Sequence, residues 1–421
     1  MPRAQLPLQR RFVLLSQASL VGVFLFFPIG LGAANTLLAL TILFWLLGGG
    51  FRGHWQDVAS NPIVKPALFM FGLILAGAFY SIAPIDAVLH AVNKYSKFLM
   101  IPVTISLLMD ASWRERCWNA FAIAMIITLT STYAGLWVQV PWAVAPTPSP
   151  WGSDHTVFKD YIAQGLLMST FVVLALSKSA KATKGIIKLG WVALAVAAAV
   201  SVLFLSNGRT GYLAIAAALV VYASVISPRK WRLVTVGLTA LALAVLLSLS
   251  ATAQQRIQTI FTEVQTQLTT SEGLRALDGA TSIGARLTMW SFSVEQVKAR
   301  PLLGAGTGAY GTLARGACGE APTCEVVSVH PHNQFLFFAV ELGILGLLAY
   351  IVYLISAARY ADLLPPPQRA LLLSFLAIMV VDSLVHGALW LAVENHLFTF
   401  VLALLMAEVG SRQSAAVRRS V

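Results

Sequence analysis

The sequence predicts an all-α polytopic membrane protein of about twelve transmembrane helices with one large polar loop. Hydrophobic residues make up 58% of the 421 residues, and charged residues only 11%. A soluble protein carries about 25% charged residues, so this chain has too little polar surface for water alone. The mean hydropathy is +0.77. Long apolar runs alternate with short polar connections, which is the pattern of repeated membrane crossing.

Twelve apolar runs are predicted to cross the membrane, and the fourth is short enough to need part of the amphipathic stretch before it. They divide the chain into nine helices in 1–250, a large loop in 251–332, three helices in 333–409 and a basic tail in 410–421. The runs are 12–30, 33–50, 63–81, 97–109, 117–139, 161–177, 186–206, 211–227, 232–250, 333–357, 369–391 and 395–409.

The basic residues predict the orientation of these helices. With a cytoplasmic N-terminus, short inside segments hold 19 of the 29 Lys and Arg residues, which is the positive-inside pattern. Both termini are then cytoplasmic and the large loop lies outside. The net charge of +12 sits in short clusters between apolar runs, which favours anionic lipid over nucleic acid. The first run follows basic residues as in a signal peptide, but its length favours an uncleaved helix.

The large loop contains two predicted amphipathic helices, at 253–270 and 284–300, because apolar residues recur there at helical spacing. Gly304, Gly306 and Gly308 then interrupt the chain. These glycines lack the spacing of a dinucleotide site. The sequence also has no P-loop and no Asp-x-Asp pair, so ATP-driven chemistry and metal–nucleotide sugar transfer lose support.

Three cysteines are present, and they predict no metal site because no second thiol pair accompanies them. Cys117 begins an apolar run and is expected to pack there. Cys318 and Cys324 lie in the large loop, separated by five residues. An extracytoplasmic loop permits a disulfide between them, but closeness in sequence does not fix the bridge geometry, so both states stay open.

The segment His330-Pro331-His332-Asn333 ends the loop and begins the tenth predicted helix. Asn333 is a candidate cap, which places His332 beside a helix N-terminus. Helix N-termini bind phosphate, and a neutral imidazole there can accept a proton near pH 7. The alternative is two loop histidines that form local hydrogen bonds, and spacing alone favours it.

Three basic residues on the predicted outer side are candidates for binding an anion. Arg209 lies in a very short hairpin, where it either snorkels to the headgroups or points into the bundle. Arg286 begins the second loop helix, and its guanidinium suits a pyrophosphate unless it is simply exposed to solvent. Lys97, beside the fourth run, either contacts phosphate or snorkels.

Ionisable residues also occur in the last two predicted helices. Asp382 and His386 are four residues apart and are expected to share a helix face, with Glu394 and His396 following at the outer end. They form either a proton relay, as in a transporter, or hydrogen bonds between helices. The second interpretation is preferred, because the sequence has no inverted repeat of the kind common in transporters.

Four stretches of the sequence form a recognisable set: Ser206-Asn207-Gly208-Arg209-Thr210-Gly211, Ala285-Arg286 with Trp290, Pro301-Leu302-Leu303-Gly304-Ala305-Gly306, and His332-Asn333 followed by Glu341-Leu342-Gly343 and Gly346. With these stretches the sequence resembles the bacterial O-antigen ligase family, part of a superfamily that includes O-antigen polymerases and protein O-oligosaccharyltransferases. One outer loop dominates, whereas polymerases tend to have two, and this favours a ligase.

The resemblance implies transfer of an O-antigen glycan from undecaprenyl pyrophosphate to a sugar hydroxyl of lipid A-core. The reaction is expected at the periplasmic face of a Gram-negative inner membrane, with inversion and without cofactor, metal, nucleotide or nucleic acid. A polymerase, a proton-coupled secondary transporter and a membrane scaffold are the alternatives. The implied catalytic residue is His332, and the implied substrate-binding residues are Arg209, Arg286, His330, Asn333 and Lys97.

Overall fold

The computed structural model describes residues 7–50, 55–144, 154–249, 254, 282–319, 324–327 and 329–420. Every named element within these ranges is a helix, apart from one isolated bridge between Ala143 and Val157. The prediction of an all-α polytopic membrane protein is therefore confirmed. The predicted loop helix at 253–270 lies almost entirely outside the described residues.

The α-helices are numbered here in chain order, and short 3-10 and π turns are left without labels. They are α1 (Leu8–Phe26), α2 (Leu31–Leu47), α3 (Trp55–Ala59), α4 (Val64–Phe79), α5 (Ile85–Tyr95), α6 (Met100–Leu107), α7 (Ala111–Ala134), α8 (Tyr161–Lys181), α9 (Gly185–Phe204), α10 (Arg209–Ile226), α11 (Arg232–Leu249), α12 (Ser282–Ala299), α13 (Ala309–Cys318), α14 (Cys324–Val327), α15 (Gln334–Arg359), α16 (Pro366–Val385), α17 (Ala392–His396) and α18 (Leu402–Ser420).

Each of the twelve predicted runs overlaps a helix. In the described part of the chain, eight helices are long and apolar enough to cross a membrane, and α2 and α4 are shorter apolar helices. The fourth run is short, as predicted: α6 has eight residues and follows a 3-10 turn. Helix α11 buries only Leu243 among its side chains, so its apolar surface is suited to lipid.

The predicted end of the eleventh helix is wrong: it was expected at residue 391, but α16 ends at Val385. His386 is extended, with φ −152° and ψ −178°. Side chains at the start of α15 replace the lost helical hydrogen bonds. The Asn333 amide donates to Leu384 O at 3.0 Å, and the Gln334 carbonyl accepts from Leu389 N at 2.9 Å. A helix can end inside a bundle when its terminal groups gain such partners.

The glycines of the large loop fit the chain tightly against α4 and α15. Gly343 interrupts α15 with φ +65°, and an added Cβ there would lie 2.2 Å from Leu302 O. Gly306 has φ +95°, and its Cβ would lie 2.2 Å from Ser81 Cα. Only glycine adopts both the conformation and the approach without strain. Backbone bonds from Ala305 N to Val340 O and from Ile344 N to Pro301 O then hold the loop to α15.

The second predicted loop helix is confirmed as α12, which begins and ends within two residues of the expected bounds. A disulfide and a buried carboxylate then hold the loop in place. Cys318 and Cys324 form a disulfide between α13 and α14. The carboxylate of Glu341 in α15 accepts the backbone N–H groups of Gly308 and Tyr310, at the start of α13. The described part of the loop is therefore anchored to α15 rather than free above the membrane.

Candidate functional site

The site begins with the turn from His330 to Asn333 that precedes α15. Asn333 is the N-cap, as predicted, and its Oδ1 accepts from Leu336 N at 2.9 Å. His332 has φ +51°, which is a strained backbone conformation for a residue with a side chain. Two bonds hold the turn: His332 N donates to His330 Nδ1 at 3.1 Å, and Trp290 Nε1 donates to Pro331 O at 3.0 Å.

The break after α16 brings a third histidine to this turn. The ring centroids of His330 and His332 lie 4.2 Å apart, and those of His332 and His386 lie 5.3 Å apart. Gly387 allows the close approach, because an added Cβ there would lie 3.2 Å from His330 Nδ1. His330 and His386 are buried and His332 is partly exposed. His332 is therefore the member of the cluster that an incoming substrate can reach most directly.

Two buried carboxylates lie behind the histidines. His386 Nδ1 is 3.5 Å from Asp382 Oδ1 and 3.9 Å from Glu394 Oε1. Asp382 is 0% exposed and Glu394 is 3% exposed. Buried charges are costly in a membrane protein and mark functional sites more often than structural ones. The expectation that Asp382 and His386 share one helical face is wrong, because His386 lies past the end of α16.

The histidines differ in proton affinity because their surroundings differ. Burial, together with the charges of His386 and Arg286, lowers the pKa of His332 to about 3. Burial and the neighbouring histidines, Arg286 and Lys94 also lower the pKa of His330. Burial acts to lower the pKa of His386 too, but the carboxylates of Asp382 and Glu394 outweigh it and raise that pKa. His332 is thus neutral at pH 7, and the residue behind it holds a proton more firmly.

Arg286 lies in the first turns of α12, four residues before Trp290. Its charge acts on His330, His332 and His386 alike, so its guanidinium is close to the whole cluster. The structure therefore brings Arg286, His330, His332 and Asn333 together, although the loop glycines and many residues separate Arg286 from the others in sequence. A guanidinium beside neutral imidazoles makes a site suited to an anion.

The other two predicted residues lie on separate elements. Arg209 is the first residue of α10, and Gly208 before it packs against the start of α8, where an added Cβ would lie 2.8 Å from Tyr161 O. Lys97 lies in the 3-10 turn before α6 and acts electrostatically on His396. No described contact joins Arg209 or Lys97 to His332. Their substrate-binding roles stay predictions.

The histidine cluster also has the spacing of a metal-ligand set, because one atom from each of His330, His332 and His386 lies within 4.8 Å of the others. Two features favour an anion instead. Arg286 places positive charge beside all three rings. His330 Nδ1 already accepts the His332 N–H, which leaves the proton on the other ring nitrogen. The predicted absence of a metal stays a prediction.

Sequence reasoning did not include His386 or Trp390 in the site. Trp390 packs between Tyr95 and Phe337, with ring centroids 5.9 and 5.0 Å away, and Lys94 Nζ lies 5.8 Å from its ring. Trp390 therefore connects α5 to the start of α15. The available signal was the set of polar residues scattered between positions 382 and 396 in an apolar segment. These residues were interpreted as forming hydrogen bonds between helices rather than as marking a break in the helix.

Comparison with known proteins agrees with these features. Residues 193–351 match the family model described as O-Antigen ligase. The matched segment extends from α9 into α15 and contains Arg209, Arg286 and the turn from His330 to Asn333. The predicted resemblance to the superfamily of O-antigen ligases and polymerases is thereby confirmed over these residues. No curated protein matches the chain.

Proposed function

We propose that this member of the O-antigen ligase/polymerase superfamily is a ligase. It would transfer an O-antigen glycan from undecaprenyl pyrophosphate to a sugar hydroxyl of lipid A-core, making lipopolysaccharide. The observation that carries the proposal is the position of Arg286 beside the neutral His332, at the N-terminus of α15. One site thus offers positive charge for a leaving pyrophosphate and a proton acceptor for an attacking hydroxyl.

Arg286 would hold the pyrophosphate of the donor, with Arg209 contributing from the start of α10. Negative charge on the pyrophosphate grows as the glycosidic bond breaks, and a fixed guanidinium stabilises that charge without a metal. The donor already carries a good leaving group, so the reaction needs no nucleotide. Lys97, whose aliphatic stem is partly buried, would bind a further phosphate of either substrate.

The acceptor hydroxyl oxygen would attack the anomeric carbon from the face opposite the pyrophosphate, which inverts that carbon. A bond forms between the acceptor oxygen and the anomeric carbon. At the same time the bond between that carbon and the phosphate oxygen breaks, and the pyrophosphate leaves with the electron pair. The hydroxyl proton goes to His332. The pKa of about 3 describes His332 in the protein without substrate. A bound pyrophosphate would place negative charge beside His332 and would raise its pKa.

The residues around His332 would support this step by position and charge. Asn333 holds the turn, since its two side-chain polar atoms bond Leu336 N and Leu384 O. His330 accepts at Nδ1, so its other ring nitrogen is a donor available to the substrate. His386, backed by Asp382 and Glu394, offers the next place for the proton.

We expect this site at the periplasmic face of an inner membrane, where both lipid substrates would present their headgroups, and the positive-inside charge pattern supports that position. The polymerase alternative uses the same site and differs only in its acceptor, a second lipid-linked glycan. The transporter alternative needs a proton path along the bundle. Its residues Asp382 and Glu394 instead meet at His386, whose ring lies 5.3 Å from that of His332, and this favours transfer chemistry.

The test is glycan transfer by the purified full chain. Undecaprenyl-pyrophosphate glycan and lipid A-core are supplied without nucleotide and with EDTA, and the products are separated by size. We expect glycan on lipid A-core, and a loss of about 10²–10³-fold in Arg286→Ala. Arg300→Ala is the control, because Arg300 is exposed just past the end of α12. Glycan lengthened on its own carrier would support the polymerase, and absence of any covalent product would reopen the transporter.

A further inference from the structure

A second polar cavity lies at the other end of the bundle. It has a volume of about 180 Å³ and opens between the N-termini of α7 and α16, the C-terminus of α8 and the middle of α18. The cavity and His386 lie at opposite ends of α16, about 25 Å apart along the helix axis. The charge pattern assigns this end to the cytoplasm. Its polar lining includes Arg114, Glu115, Lys178, Lys181, Gln368 and Glu408.

The charges of this cavity do not cancel. Glu115 is paired with Lys178, and Glu408 with Arg412 at 3.3 Å. Arg114 uses one guanidinium nitrogen to bond Leu108 O and Met109 O at 2.9 and 2.7 Å, which fixes its position at the cavity. Among the residues that the structure describes, neither Arg114 nor Lys181 has a carboxylate within salt-bridge distance. The lining thus holds three cations and two carboxylates, with Glu408 and Glu115 acting on Lys181 and with Glu408 and Asp110 acting on Arg114. One net positive charge remains for a ligand, and Arg114 and Lys181 are the two cations without a salt bridge within the described ranges.

An acceptor of hydrogen bonds accompanies these cations. Gln368 Oε1 is buried and has no hydrogen-bond partner in the described part of the chain. A buried carbonyl oxygen without a partner costs free energy, so a ligand that brings a donor to it would be favoured. The apolar lining includes Trp118, Leu174 and Leu371, which are buried and belong to the hydrophobic core of the bundle.

We propose that this cavity binds the headgroup of an anionic phospholipid of the cytoplasmic leaflet, namely phosphatidylglycerol. Arg114 and Lys181 would bind the phosphodiester, and a glycerol hydroxyl would donate to Gln368 Oε1. The acyl chains would remain in the bilayer, outside the cavity. Basic pockets between transmembrane helices on the cytoplasmic side bind anionic headgroups in this way. The bound lipid would join α7, α8, α16 and α18 at the end remote from the histidines.

The test measures lipid retained by the purified full chain in native mass spectrometry, with phosphatidylglycerol and phosphatidylcholine offered at equal concentration. We expect selective retention of phosphatidylglycerol. Lys181→Ala should weaken it about fivefold, because one cation near a headgroup contributes at that level. Gln368→Leu should weaken it while leaving the charge intact. Lys184→Ala is the matched control, since Lys184 is exposed three residues further along and does not line the cavity.

A parallel arm compares thermal unfolding with short-chain phosphatidylglycerol and with inorganic phosphate. Stabilisation by the lipid alone supports the proposal. Equal stabilisation by phosphate would overturn the lipid assignment in favour of a small anion. Equal loss of lipid in Lys181→Ala and Lys184→Ala would also overturn it, because the attraction would then be diffuse surface charge. Unfolding temperatures of the variants without lipid show whether each is folded.

Discussion

The two ends of α16 carry the same kinds of charge in opposite settings. Near Pro366 the carboxylate of Asp362 is 85% exposed and bonds Arg369 at 2.7 Å. Near Val385 the carboxylate of Asp382 is fully buried, and neither of its oxygens has a hydrogen bond in the described part of the chain. The exposed pair is worth at most about 1 kcal/mol and needs no functional reason.

The buried end of α16 is different because its arrangement lowers the free energy of unfolding. An incompletely paired carboxylate and a strained histidine at φ +51° both reduce stability. His386 lies between them, 3.5 Å from Asp382 Oδ1 and with its ring 5.3 Å from that of His332, and the charge of Arg286 acts on both histidines. On our proposal, the helix end with the poorer energetics is the functional one. Substitutions there should reduce activity more than stability, and substitutions at the other end should change little.

The largest expected effect comes from the matched pair Asp382→Asn and Asp362→Asn. Asp382→Asn removes the charge that helps His386 hold a proton, so glycan transfer should fall about 10²-fold. Its unfolding temperature should stay the same or rise, because a buried charge is replaced by a neutral group. Asp362→Asn should leave transfer unchanged and stability within about 1 kcal/mol. If Asp382→Asn instead lowered the amount of folded protein but left the transfer rate per folded molecule normal, the two ends of α16 would not differ in function.

The next effect is a pH dependence of stability. The folded pKa of His332 is about 3, below its unfolded value near 6.5. Between these values the unfolded chain binds a proton that the folded chain does not, so the free energy of unfolding falls as pH falls. From pH 7 to pH 5 the loss from His332 is about 2 kcal/mol. Chemical denaturation should show a shallower pH dependence in His332→Gly, and identical slopes would contradict the assignment.

The smallest effect separates backbone strain from chemistry at one residue. His332→Gly and His332→Ala both remove the imidazole, so both should lose transfer. Glycine adopts positive φ freely, whereas alanine keeps the strain, so His332→Gly should be more stable by about 1 kcal/mol. Thermal unfolding of the two purified variants measures this difference. A more stable alanine variant would mean that the turn does not hold φ +51° in solution.

Much of the fold could be predicted from the sequence, because apolar runs long enough to span a bilayer leave little choice of structure. The N-cap role of Asn333 and helix α12 could also be predicted, since both depend on local spacing. Residues implied by the resemblance, Arg286 and His332, meet in one place. The cap and helix α12 are features that a short stretch of chain determines by itself, whereas the meeting of Arg286 with His332 was implied only by the resemblance.

The break at His386 could not be predicted, because its cause is distant in sequence. Local hydropathy favours a helix through residue 391, but the amide groups of Asn333 and Gln334 satisfy the backbone of the broken segment instead. The loop glycines from Gly304 to Gly308 were likewise interpreted as a simple interruption of the chain. The loop instead packs closely against α15, as at Gly343 and Leu302, and only the folded chain reveals this contact.

The most direct test of the account is the rate of glycan transfer to lipid A-core by His332→Ala and by Arg300→Ala. Arg300 is exposed just past the end of α12 and is the control. The account predicts a loss of at least about 10²-fold for His332→Ala and a nearly unchanged rate for Arg300→Ala. A wild-type rate in a folded His332→Ala protein would contradict the assignment of the transfer site to the histidine cluster.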